Sequence, residues 1–162
     1  MLRVSAIWLS LIPIFLPLAG VEAQSSLCFS DEQLKSVLID VHFFGVGQMA
    51  GTCVGRFPEL LPQATELTKK LESTYDAQLS KVDRISIEAF EQHYPGHGRE
   101  MRDKNDNVAS EPSCLAAKQY TREQCDNVMS ALEGFTVAND WAAVTYFPLS
   151  FFDRERARVP KC

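Results

Sequence analysis

The chain has 162 residues, a net charge of −5, five cysteines and three histidines. That acidic balance excludes nucleic acids and anionic membrane surfaces as partners, because both are bound through clustered Lys and Arg. The one basic cluster, "RERAR" at Arg154–Arg158, is interrupted by Glu155 and reads as a solvated surface.

In chain order, the first predicted element is a secretory signal peptide. Arg3 is followed by the apolar run "VSAIWLSLIPIFLPLAGV" and by "VEA", small-type residues at the −3 and −1 positions of a cleavage site after Ala23. Pro13 and Pro17 argue against a retained spanning helix, so no stable membrane span is expected after cleavage. Val21 stands where a lipoprotein would carry its cysteine. Residues 24–162 then form a single helical domain, long enough to bury about two-thirds of its surface, in the periplasm or the secreted pool.

A capping box, "SDEQ" at Ser30–Gln33, opens the first helix. Leu34, Val37, Leu38, Val41 and Phe44 line one face of it. Beyond Asp40, the uncharged run from Val41 to Gly55 predicts a helix end buried on all sides, with Gly47 and Gly51 as close-packing positions. A second, long helix is expected from about Leu60 to Gln92. Leu67, Leu71, Tyr75, Val82 and Ile85 share its inner stripe, and a break is expected near "SKVDR" (Ser80–Arg84). The proline–glycine pair in "HYPGHG" ends it.

Residues 98–113, charged and polar, predict an exposed loop, followed by a short helix in "PSCLAAKQY". "TREQ" at Thr121–Gln124 is a second capping box, and Cys125, Val128, Met129, Leu132 and Phe135 have the spacing of a buried face. The last stretch, "FTVANDWAAVTYFPLSFF", predicts a short helix capped by Asn139 or Asp140 and ending before Pro148. Its aromatics seal the core, or else present an apolar patch to another protein. No segment alternates with a period of two. The fold class is therefore all-α: a small antiparallel bundle of about four helices stapled by one or two disulfides.

In an exported chain, bridging is the default use of cysteine. Cys53, in "GTCVGRFPELLP", has Arg56 and a helix start beside it, which suit a thiolate. His42 lies about three helical turns away, too far to act as its base. The favoured pair is Cys53 with Cys125, since antiparallel packing brings those helix ends together; Cys114 with Cys125 is the runner-up. A second pair takes two of Cys28, Cys114 and Cys162. Cys28 with Cys162 is suggested by neighbouring domain termini, and Cys28 with Cys114 is equally open.

His93 and His97, with Glu100 as a third group, are weak candidates for zinc or copper, so no metal and no cofactor is expected. "DKNDN" at Asp103–Asn107 starts like a calcium loop, but Val108 and Cys114 stand where the glycine and the last glutamate belong. There is no CxxC, CxxCH, GxSxG, P-loop or HExxH. The expected function is a non-catalytic binding or assembly role, exported to the cell envelope or beyond. The alternatives are a thiol- or metal-dependent enzyme or metal carrier using Cys53 or His93/His97, and a carrier of lipid or small ligands.

Overall fold

The computed structural model describes residues 27–162, and these are 82% helical with no strands. The signal peptide and its cleavage site lie outside the described residues. The order is α1 (Asp31–Arg56), a 3-10 turn (Pro58–Leu60), α2 (Leu61–Glu91), α3 (Gly98–Ala117), α4 (Arg122–Ala138), α5 (Trp141–Leu149) and α6 (Phe152–Arg156). Helix α1 is central, packing against α3 and α2 along its length and against α4, α5 and α6 at its ends. By length and composition it resembles a membrane-crossing helix, but half of its most apolar window is buried inside the bundle.

Both capping boxes form. Ser30 Oγ accepts from Gln33 N (3.2 Å) and Gln33 Oε1 accepts from Ser30 N (2.8 Å); Thr121 and Gln124 repeat the exchange. Each box satisfies two amides that a helix start leaves unpaired. The apolar core then divides along α1. Its C-terminal half (Val46, Met49, Ala50, Cys53) meets the first half of α2, α4 and Val144 of α5. Its N-terminal half (Leu34, Val37, Leu38, Val41) meets Phe29, Phe90, Ala109 and Val159. Each fully buried Leu or Phe contributes about 1.5–3 kcal/mol.

Four local expectations are corrected. Residues 98–113 are helical, forming most of α3, rather than an exposed loop. The inward residues of α3 (Asp106, Ala109, Ser110, Ser113 and Ala117) are small or polar, so no apolar stripe marks the helix. Its start is fixed by Glu91, whose carboxylate accepts from Gly98 N (2.7 Å) and Gly96 N. A Cβ on Gly98 would stand 2.6–2.8 Å from Glu91 and the Ile87 carbonyl, so only glycine fits there.

The break in α2 falls at Tyr75 (φ −124°, ψ 23°), not at Ser80–Arg84. The Ser73 and Thr74 hydroxyls both donate to the Lys70 carbonyl (3.0 and 2.7 Å), competing with the backbone ladder just before the kink. Gly47 and Gly51 are exposed, and a Cβ added at either would meet no other element within 4 Å. The contact is at Gly45, which lies against Ser110, so α1 is not buried all round. Finally, α5 continues through Pro148 and is followed by a short α6. Asn139 ends α4 in the left-handed conformation, and Asp140 caps α5 by accepting from Ala142 N (3.0 Å).

Candidate functional site

The cysteines define two corners of the molecule. Cys53, in the last turn of α1, is bonded to Cys125, in the first turn of α4 (Cα–Cα 5.5 Å), and both are 0% exposed. Closing a loop of 72 residues contributes about 4 kcal/mol in the chain-entropy model. The Cys53 sulfur is held in that bond and is not available as a thiolate. Arg56 lies over the Phe57 ring (5.6 Å) instead of serving it. Arg122, which also faces Phe57, pairs with Glu59 and with Asp126 (2.9 Å).

The second bridge joins Cys28 to Cys162 (Cα–Cα 5.1 Å). The segments it joins are also held without it. Phe29 N donates to the Pro160 carbonyl (3.1 Å), and Arg156 donates to the carbonyls of Phe29 (2.8 Å) and Pro160 (2.7 Å). Asp31 accepts from both Arg156 (3.2 Å) and Lys161 (3.0 Å). The hydrogen bond from Lys161 is the main cause holding the Asp31 carboxyl below its ordinary range, with Arg156 assisting.

His93 completes this corner. Its Nε2 donates to the Cys28 carbonyl (2.7 Å), and its ring packs edge-on to Phe29 (5.9 Å). A ring nitrogen of His93 and the two sulfurs all lie within 4.8 Å of one another, the one such grouping among the described residues. The trio suggested by sequence is not assembled: His97 is exposed and pairs through Nδ1 with Glu100 (3.0 Å). Cys114 stands outside both bridges, half-buried in α3.

Two further clusters were missed by reading the sequence. Arg102 of α3, largely buried, faces Asp83 of α2, Asp40 of α1 (3.7 Å), Asp103 (3.3 Å) and Asp106 (3.3 Å). Arg99 also reaches Asp83 (3.9 Å), which still leaves Arg102 facing Asp40, Asp103 and Asp106. Asp106, with a side chain only 1% exposed, is pushed up to about 7 by burial and then by the neighbouring charge of Asp40. Burial likewise raises Asp40. Burial alone would lower Arg102, but Asp40, Asp83, Asp106 and Asp103 outweigh it and keep the guanidinium charged. One signal was legible: Arg102 and Asp106 have the i,i+4 spacing of a helical ion pair.

The other cluster surrounds His42. Its ring is ringed by Phe43 (5.7 Å), Phe135 (5.9 Å) and Phe147 (5.4 Å), and burial pushes its pKa down to about 4. Nε2 has no hydrogen-bond partner among the described residues. Phe43 stacks on Trp141 (5.8 Å, 8° between planes), and Trp141 leans on Tyr75. The Tyr75 hydroxyl donates to the Phe135 carbonyl (3.0 Å) and accepts from Asp140 N (3.1 Å), tying α2 to the α4–α5 junction. The C-terminal aromatics therefore divide. Phe135 and Trp141 pack on the core, whereas Tyr146 (75% exposed) and Phe147 join Val137 among the large exposed apolar residues.

Fold and site together define the class: a small all-α bundle with two nested disulfides, built for an oxidising environment. No family model, no curated protein and no solved structure matches the chain.

Proposed function

We propose that the chain is an exported, non-catalytic binding protein, processed after Ala23 and working in the periplasm, the cell envelope or the secreted pool. The observation that carries this reading is the exposure of Val137 at the end of α4 and of Tyr146 and Phe147 in α5, the helix that follows it. Large exposed apolar side chains suit contact with another protein, and Phe147 packs on the rings of His42 and Phe151 beneath it. Two disulfides in a chain of this size fit a compartment that oxidises thiols. The signal-like N-terminus supplies the route.

Two measurements test the proposal. The exported chain should begin at Gln24, read from the mass of the intact protein recovered outside the cytoplasm; an unprocessed chain retained in the cytoplasm sinks the export half. For the binding half, photo-crosslinking from position 143, exposed on α5, should trap a discrete protein partner in the native compartment. Val137→Asp and Tyr146→Asp should each abolish that product while leaving the melting temperature within a few degrees of wild type. An unchanged crosslinking pattern in both variants removes these residues as a binding surface.

A further inference from the structure

We propose that the Cys28–Cys162 corner is a redox-gated metal site: closed as a disulfide, and open to a thiophilic d10 cation, zinc or cuprous copper, when reduced. Three observations carry it. The two sulfurs and a ring nitrogen of His93 already lie within 4.8 Å of one another. Two thiolates and an imidazole are the donor set such cations take, and zinc accepts three protein ligands with a fourth position left to water.

The corner is also preorganised without the sulfur–sulfur bond. The Phe29–Pro160 backbone bond and the Arg156 side chain hold the two segments together, so opening the bridge does not release the cysteines from each other. The positive charges of Arg156 and Lys161 are occupied by Asp31 and do not repel an incoming cation unopposed. Third, His93 is anchored to the backbone of the bridge itself. Because a carbonyl only accepts, the bond to Cys28 makes Nε2 the N–H nitrogen and leaves the lone pair on Nδ1. A histidine that donates its other nitrogen to a backbone carbonyl is the usual arrangement at metal centres.

The gating chemistry balances. A dithiol reductant supplies two electrons and two protons to the bridge, giving two cysteine thiols and the oxidised reductant. Metal capture then releases the two thiol protons to solvent. Cys162 is exposed and Cys28 half-buried, whereas Cys53 and Cys125 are inaccessible, so the outer bridge opens first.

The test uses the folded chain carrying Cys114→Ser, which removes the one thiol outside the bridges. The Cys28–Cys162 equilibrium is titrated against a dithiol redox buffer, with chelator or with buffered zinc or cuprous ion. Alkylation and mass spectrometry report each bridge. At free metal about a hundredfold above its dissociation constant, the outer equilibrium should move about 100-fold toward the dithiol by mass action, while Cys53–Cys125 does not respond. The zinc and cuprous arms tell the two cations apart, and a response to either supports the site. His93→Gln keeps a donor for the Cys28 carbonyl but removes the ligand. It should weaken binding at least about tenfold, the loss already usual for outer partners of a metal centre. No metal-dependent shift in either arm, or an undiminished shift in His93→Gln, overturns the proposal. Because the titration starts from the bridged, folded protein, loss of structure on full reduction does not excuse a negative result.

Discussion

Asp40 and His42 are two residues apart on α1, yet they face opposite kinds of interior. Asp40 enters a charged cluster around Arg102 at the junction of α1, α2 and α3. His42 enters a cluster of phenyl rings between α1, α4 and α5. The first region keeps ionised groups inside by pairing them, and burial beside Asp40 raises the one carboxyl, Asp106, to about 7. The second has no counter-ion to offer, so its titratable group is kept neutral. Burial acts on both; what differs is the sign of its effect. It raises an acid and lowers a base.

The largest expected effect comes from breaking the charged region. Arg102→Leu leaves the buried carboxyls of Asp40 and Asp106 without their cation and should cost about 3–5 kcal/mol at neutral pH, measured by urea unfolding. The loss should shrink near pH 4, where the carboxyls accept protons.

Next is Asp106→Asn. The folded pKa of Asp106 (about 7) lies above the unfolded value of 3.8, so the folded state holds its proton more tightly. Its contribution to stability is therefore present below about pH 4 and lost as pH rises toward 7. The variant should lack that decline, gaining on the order of 2–3 kcal/mol over wild type at pH 8 relative to pH 4. A parallel pH profile in the two proteins would disprove it.

The aromatic region should respond in the opposite sense. His42 is lowered to about 4 from 6.5, so its contribution is complete above pH 6.5 and lost as pH falls toward 4. His42→Leu should be more stable than wild type by about 2 kcal/mol at pH 4.5 and close to it at pH 7.5, read from melting curves at the two pH values. The smallest effect expected is Tyr75→Phe, which removes one donor and one acceptor at the α4–α5 junction and should cost about 1–2 kcal/mol at every pH. A pH-dependent loss there would mean that the two regions are coupled through α2.

Legibility in the sequence followed the apolar pattern. Helices α1, α2 and α4 combine capping signals or proline starts with periodic Leu and Val, and they were readable. Helix α3 was not, because its buried face is made of Asp, Ser and Ala, which look like a loop until Arg102 and its partners are seen in space. The kink at Tyr75 was misplaced for a related reason: its cause is a pair of hydroxyls on Lys70 and a phenol bonded 60 residues away, and only the hydroxyls are local. Cys53 and Cys125 were pairable on antiparallel packing alone. His93 was picked out as a candidate ligand, but beside His97; its true neighbours, Cys28 and Cys162, come from the two ends of the described chain, a proximity without any spacing to reveal it.

The two bridges are nested, Cys28–Cys162 enclosing Cys53–Cys125, and this has a consequence for biogenesis. On the export route proposed above, a chain that emerges N-terminus first presents Cys28 and Cys53 to the oxidant long before either native partner arrives. Oxidation in order of appearance would join those two, a pairing the finished bundle does not contain. Efficient maturation therefore requires either that α1 fold early enough to keep Cys53 out of reach, or that a disulfide isomerase undo the first bond made. Without such an isomerase, the material that accumulates should carry a Cys28–Cys53 link, visible by peptide mapping.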